Sequence, residues 1–269
     1  MVELAKPRIM GILNLTPDSF YDGGKYRTTG QALEQARIML EQGAHFLDLG
    51  ATSSRPGAEL LPRDEEGRRL EPVLKAIVRE FPGALVSVDT YYAETARMAV
   101  NEGACMINDI SAGSIDPMMF ETIGQLQVPY VLMHMKGHPK TMQQQPVYLD
   151  LIKEITAFFA EKIDMLTGFG VRDILIDPGF GFGKTLEQNY QLLYAMDFFA
   201  IHERPLVVGV SRKSMVSKVL GVPAGEALNG TTVVHTMALL KGADILRVHD
   251  VREAMEAIRL TGMYQAAAT

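Results

Sequence analysis

The chain has 269 residues, 47% of them hydrophobic and 22% charged, with a net charge of −6. That hydrophobic share supports a large core and argues against disorder, while the acidic balance leaves no electrostatic footprint for nucleic acid or an anionic membrane. No apolar run approaches the roughly 20 residues needed to cross a bilayer. The first run, Ile9 to Leu15, is also too short for a secretory leader. A lone cysteine, Cys105, excludes an internal disulfide framework and suits a reducing cytoplasm. The expectation is one cytoplasmic domain, residues 1–269, acting on small molecules.

Eight short apolar runs each end in a polar residue able to do chemistry. Arg8 to Leu13 ends at Asn14, His45 to Leu47 at Asp48, and Ala84 to Val88 at Asp89. Cys105 to Ile107 ends at Asn108, Tyr130 to Met133 at His134, and Asp173 to Ile176 at Asp177. Leu206 to Val210 runs into Ser211, Arg212 and Lys213, and Asp244 to Leu246 into Arg247, Val248 and His249. Seven of the runs feed helix-patterned stretches. Strands alternating with helices imply a parallel sheet, and eight such units match an α/β fold, the closed (β/α)8 TIM barrel. In that fold the site is built at the C-terminal ends of the strands, where these residues fall.

Between the runs, helix starts are readable. Thr28 with Gln31, Thr185 with Gln188, and Asp250 with Glu253 have capping-box spacing. Asp116 before Pro117 marks another start, and Leu149 to Leu166 is the longest helical pattern. Two loops, Thr16 to Arg27 and Ala51 to Glu66, exceed the usual βα connection and leave the face expected to hold the site, which suits lids.

The segment Asp177 to Thr185 approaches a phosphate-binding P-loop, but Pro178 stands where that motif needs glycine. Its glycines suit close approach to a planar ligand, with Phe180 and Phe182 as apolar walls. Asp89, Asn108 and Asp177 combine carboxylate acceptors with an amide, a set that fits a flat heterocycle with an amidine-like edge, such as a guanine or pterin ring. A general acid/base pair and a polar barrel layer are the alternatives. Arg247 and His249, with Arg55, offer cationic donors for phosphate, although Arg247 alone equally suits a structural ion pair. His134 reads more readily as a satisfied core-edge residue than as a base. Asn14 is a reasonable hard ligand for Mg²⁺, with Asp18 and Asp22 nearby. Ser211 to Ser214 reads as a helix start able to hold a carboxylate, and Lys213 would alternatively form a Schiff base.

Together the motifs resemble the dihydropteroate synthases, a family of pterin-binding barrels. The resemblance rests on Met10 to Phe20 with Asp22, Gly23 and Gly24, on Ser53 to Gly57, and on Ser87 to Thr90. It continues through Ile107 to Asp109, Leu132 to Met135, Asp177 to Lys184, Ser211 to Ser214 and Arg247 to Asp250. It implies condensation of a pterin pyrophosphate with p-aminobenzoate. Asn14 would then bind Mg²⁺ with the pyrophosphate, and Asp89, Asn108, Asp177 and Lys213 would hold the ring. Arg247 and His249, helped by Ser54 and Arg55, would take the pyrophosphate, while Phe182, Pro56, Lys213 and Ser214 would border the arylamine. Arg55, Lys213, Arg247 and His249 are thereby implied as the catalytic group, and a homodimer as the assembly. Thr52 and Ser54 depart from a family pattern that often has glutamate and threonine, and Tyr21 replaces a small residue. A corrinoid-linked methyltetrahydrofolate methyltransferase and a non-catalytic pterin-binding homologue are the competing readings.

Overall fold

The structure, a computed structural model, describes residues 7–15, 29–52, 61–137 and 146–267. Ser54, Arg55 and Pro56, together with Asp18, Tyr21, Asp22 and Thr28, lie outside the described residues. Among the described residues are eight parallel strands. They are β1 (Arg8–Asn14), β2 (Phe46–Gly50), β3 (Leu85–Asp89), β4 (Met106–Asp109), β5 (Tyr130–Met133), β6 (Ile174–Asp177), β7 (Val207–Val208) and β8 (Ile245–Val248). The helices are α1 (Thr29–Glu41), α2 (Arg63–Glu80), α3 (Ala93–Asn101), α4 (Met119–Leu126), α5 (Leu151–Gly168), α6 (Leu186–Tyr194), α7 (Ser214–Leu220), α8 (Leu228–Leu240) and α9 (Val251–Ala266).

The strands pair in the order β6-β5-β4-β3-β2-β1-β8-β7. A parallel bridge between Ile176 and Leu206 joins the two outer strands and closes the barrel. Two strands depart from the expected limits. β2 runs on to Gly50, which places Asp48 inside the strand rather than at its end, and β7 shrinks to two residues. Gly209 follows it, and a residue without a side chain weakens strand packing.

Strand periodicity explains how the barrel separates a dry floor from a polar mouth. Side chains two residues apart share a face. Met10, Phe46, Met106, Val131, Leu175, Val207 and Ile245 form an apolar cluster of their own, apart from the larger core under the helices. Two residues further along β2, β4, β6 and β8 stand Asp48, Asn108, Asp177 and Arg247. The polar level is therefore set one step above a packed plug, at the end of the barrel where a site is expected.

Helix caps agree with the sequence in part. Thr185 and Gln188 form the expected capping box, and Asp150 caps α5 by accepting from the Lys153 amide at 3.2 Å. Asp116 does not open its helix directly. It accepts from the Met118 amide at 3.0 Å and from the Ala93 amide at 2.8 Å, joining the entry of α4 to the start of α3. The Asp250–Glu253 box does not form, because Arg212 claims the Asp250 carboxylate through Nε at 2.7 Å and one terminal nitrogen at 2.8 Å.

That pair latches the turn after β7, which carries Ser211 and Lys213, to the turn after β8, which carries His249. Arg212 has a left-handed backbone (φ 54°), and its guanidinium also donates to the Ala224 and Gly225 carbonyls. Its side chain is 4% exposed, so removing the carboxylate strands a buried charge. Asp250→Ala should therefore cost about 3–5 kcal/mol of stability in urea denaturation; a loss under about 1 kcal/mol would show that the latch behaves as a surface pair.

Candidate active site

Arg247 organises the polar level. Its Nε donates to Asp48 Oδ2 at 2.6 Å, and a terminal nitrogen donates to Asp89 Oδ2 at 2.8 Å. Asn108 Nδ2 donates to the same Asp48 oxygen at 3.1 Å. One carboxylate thus ties β2, β4 and β8 together at the mouth. Asp48 is wholly buried, and its other oxygen has no hydrogen-bond partner among the described residues. Burial pushes the Asp89 carboxyl up to about 7 even though Arg247 opposes the rise. The expected ion pair of Arg247 exists, and it belongs to the same cluster as the residues expected to hold a heterocycle.

Asp177 and Lys213 face each other across the mouth. Asp177 Oδ1 accepts from the Gly179 amide at 2.7 Å. Burial raises its pKa, and the Lys213 charge is the main opposing influence. Lys213 Nζ donates to the Phe180 carbonyl at 2.5 Å and lies 4.6 Å over the Phe182 ring. Burial pushes this amine down to about 8. Gly209 lies between them: a methyl there would stand in ordinary contact with Lys213 Nζ at 3.7 Å, Asp177 Oδ2 at 3.9 Å and Arg247 Cβ at 4.0 Å. The bare backbone at this position thus brings an acceptor, a donor and the Arg247 stem together.

A second bare position, Gly50, lies on the inward side of β2 two residues after Asp48. A methyl there would be 3.7 Å from both Asn14 Oδ1 and Asp89 Oδ2. Asn14 ends β1 in register with Gly50, which is in register with Asp89, itself paired with Asn108. An amide oxygen beside a carboxylate is a hard donor set that fits Mg²⁺, an ion that retains waters and shares substrate oxygens.

One of the aromatic expectations needs correction. Phe180 is turned into the main core, whereas Phe182 joins Tyr91, Ile110 and Met133 in an apolar cluster at the mouth. Only one of the two rings can border a ligand, because consecutive turns of the glycine loop send them to opposite sides. Lys184 points inward rather than toward a phosphate. Its Nζ reaches the Gly179 and Phe182 carbonyls at 2.9 and 3.1 Å and His134 Nδ1 at 3.0 Å. His134 is buried, and burial together with the Lys184 charge holds its pKa down at about 2. It is the satisfied core-edge residue the sequence suggested.

His249 is brought to the β7 side of the mouth, where its amide and its Nδ1 lie 3.2 and 3.0 Å from the Ser211 hydroxyl. Lys213 caps α7, and Ser214 is exposed as the first helical residue. Sequence reasoning missed Asp48 as a site member, although it had marked the run ending there. It also missed Glu66, wholly buried on α2, whose carboxylate accepts from Thr52 at 3.0 Å and Thr90 at 2.6 Å. Thr52, a departure from the family pattern, thus finds its carboxylate in Glu66. Helix periodicity alone gave no signal of this contact.

The family model for pterin binding enzymes matches residues 10–249 of this chain. Dihydropteroate synthase of Escherichia coli strain K12 is 42% identical over 261 residues, an alignment covering 96% of this chain and 92% of the relative. A crystal structure of Yersinia pestis dihydropteroate synthase with a sulfonamide drug matches with a TM-score of 0.95 at 42% identity, covering 98% of this chain and 96% of that one. The Xanthomonas albilineans enzyme in complex with 7,8-dihydropteroate matches with a TM-score of 0.87 at 36% identity, covering 98% and 96%. This chain, with Asp177 and Lys213 converging on Gly209 at the barrel mouth, belongs to the dihydropteroate synthase family of pterin-binding enzymes.

Proposed function

We propose that this chain condenses 6-hydroxymethyl-7,8-dihydropterin pyrophosphate with p-aminobenzoate to give 7,8-dihydropteroate and pyrophosphate, a step of folate biosynthesis. The observation that carries the reading is the convergence on Gly209 of Asp177 Oδ2 and Lys213 Nζ, both within 4 Å of where a side chain would begin. A flat ring entering there meets a carboxylate for its N–H edge and an ammonium for its carbonyl. Asn108 and Asp89 supply further acceptors and a donor on the opposite wall.

In the reaction the arylamine nitrogen bonds to the pterin methylene carbon as the carbon–oxygen bond to pyrophosphate breaks. The bonding pair leaves with pyrophosphate, and the amine gives up one proton. Arg247, His249 and Arg55 are assigned to the negative charge that grows on the leaving group, where fixed cations act most strongly. Mg²⁺, held by Asn14 with water and substrate oxygens, supplies further neutralisation of that charge when bound. Phe182, Pro56, Lys213 and Ser214 are assigned to the arylamine side. No strong base is required, since an arylamine is nucleophilic when neutral, and His134 is too deeply held to serve as one.

Exposed apolar side chains recur at helical spacing on α8 (Val233, Met237, Leu240) and on its neighbour α9 (Leu260, Met263, Tyr264). Such a face supports a homodimer in which a second copy covers it. The partly buried thiol of Cys105 is held above its ordinary pKa by burial, which makes it a weak nucleophile. No helix among the described residues is long and apolar enough to cross a membrane.

A coupled pyrophosphate-release assay with both substrates tests the reaction. Release that depends on p-aminobenzoate supports it, whereas pterin binding without release would favour a non-catalytic homologue, and methyl transfer to a corrinoid protein would favour the methyltransferase reading. Gly209→Ala should fold with a thermal midpoint near that of the parent, since the added methyl meets only ordinary contacts. It should nevertheless weaken pterin binding by roughly tenfold or more, because the ring loses its place beside two charged partners. Unchanged affinity by calorimetry would remove Gly209 from the site. Asn14→Ala should raise the Mg²⁺ concentration for half-maximal turnover severalfold while leaving pterin affinity without metal at the parent value. An unshifted metal requirement would take Asn14 out of the metal site.

A further inference from the structure

The loop from Asp177 to Thr185 is gripped by its own Lys184, a motif residue to which the proposed chemistry gives no role. We infer that Lys184 is a positioning residue, whose buried ammonium fixes Phe182 and Lys213 on the arylamine side of the site by clamping two loop carbonyls to the His134 ring. This rests on the proposed function for the identity of the arylamine and on geometry for the rest.

Lys184 is 2% exposed. Its Nζ has an acceptor in each of three directions, the Gly179 carbonyl at 2.9 Å, the Phe182 carbonyl at 3.1 Å and His134 Nδ1 at 3.0 Å, and burial pushes the amine down to about 7 while the Asp177 charge favours its protonated form. All three acceptors are neutral, because His134 stays unprotonated in its buried place. Burying a charge among neutral groups is costly compared with an apolar filler of the same size. What the ammonium adds over such a filler is a fixed three-way geometry. Gly179, Gly181 and Gly183 all have positive φ, at 70°, 81° and 64°, which turns the loop back on itself. A side chain at Gly179 or Gly183 would collide with the His134 or Lys136 carbonyl, so the loop is pressed against the end of β5.

The consequence reaches the site through Phe180. Its carbonyl lies between the two clamped ones in sequence and accepts from Lys213 Nζ, which in turn sits over the Phe182 ring. Clamping Gly179 and Phe182 therefore sets both supports of Lys213. Asp177 has a separate anchor: it belongs to β6, pairs in register with Met133, and its carbonyl accepts from the His134 amide at 2.9 Å. The ring side of the site thus rests on the sheet and the arylamine side on the clamped loop. Loss of the clamp should divide the two ligands.

Calorimetry of p-aminobenzoate in the presence of pyrophosphate and Mg²⁺, and of the pterin pyrophosphate alone, reads this directly. In Lys184→Met the arylamine affinity should fall by roughly tenfold or more, while pterin affinity, which shares Lys213 but also rests on Asp177, Asn108 and Asp89 of the sheet, should fall by a smaller factor. A second pair covers a misfolded Lys184 variant. His134→Leu and His134→Asn both lose the edge contact with Phe158, whose ring centroid is 4.9 Å away, but only asparagine keeps an acceptor for Lys184. The leucine variant should reproduce the arylamine defect and the asparagine variant should restore the parent affinity. Parent arylamine affinity in Lys184→Met, equal loss of both ligands, or the same defect in both His134 variants would overturn the inference. Because these readouts are affinities, a parent protein that bound both ligands without releasing pyrophosphate would sink the proposed reaction and still decide the role of Lys184.

Discussion

The site depends on the buried ion pairs of Arg247. A guanidinium and two carboxylates at the mouth of an apolar barrel would each cost several kcal/mol if left alone. Here Asp48 and Asp89 approach within 2.6 and 2.8 Å of the arginine, and Asn108 donates to Asp48 as well. Each group compensates a neighbour on a different strand. The mouth is consequently both polar and rigid, two properties that a binding surface for a flat, hydrogen-bonding ring requires together.

The remaining parts are arranged around that cluster. The apolar plug of Met10, Phe46, Met106, Val131, Leu175, Val207 and Ile245 fixes the level at which the polar residues emerge. Gly50 and Gly209 then bring bare backbone to that level, one in contact with Asn14 and Asp89, the other with Asp177 and Lys213. Arg212 and Asp250 hold the turns that deliver Lys213, Ser211 and His249. Strands carry Asn14, Asp89, Asn108, Asp177 and Arg247, whereas turns carry Phe182, Lys213 and His249.

The barrel was legible because its strands are short apolar runs with polar ends, a pattern that survives without any knowledge of contacts. The members of the polar level were mostly legible for the same reason, as Asn14, Asp89, Asn108, Asp177 and Arg247 each finish or nearly finish a run. Asp48 escaped because its role is defined by Arg247, 199 residues away in sequence. Local spacing likewise cannot tell that Phe180 turns to the core while Phe182 turns to the mouth, since three left-handed glycines decide it. The Asp250 capping box failed because a buried arginine is a stronger partner than a helix amide. Ser54, Arg55 and Pro56 lie outside the described residues, so their part rests on the motif alone.

The central claim is that Asp48 and Arg247 stabilise the barrel mouth as a mutually compensating pair. A double-mutant cycle in urea denaturation measures this most directly, using Asp48→Asn, Arg247→Met and the combination. Arg247→Met should cost about 3 kcal/mol or more by stranding Asp48 and Asp89, and Asp48→Asn somewhat less because Arg247 keeps Asp89. The double variant should lose less than the sum by roughly 2 kcal/mol. Additivity within about 0.5 kcal/mol would contradict the account, because it would show that the two groups do not depend on one another.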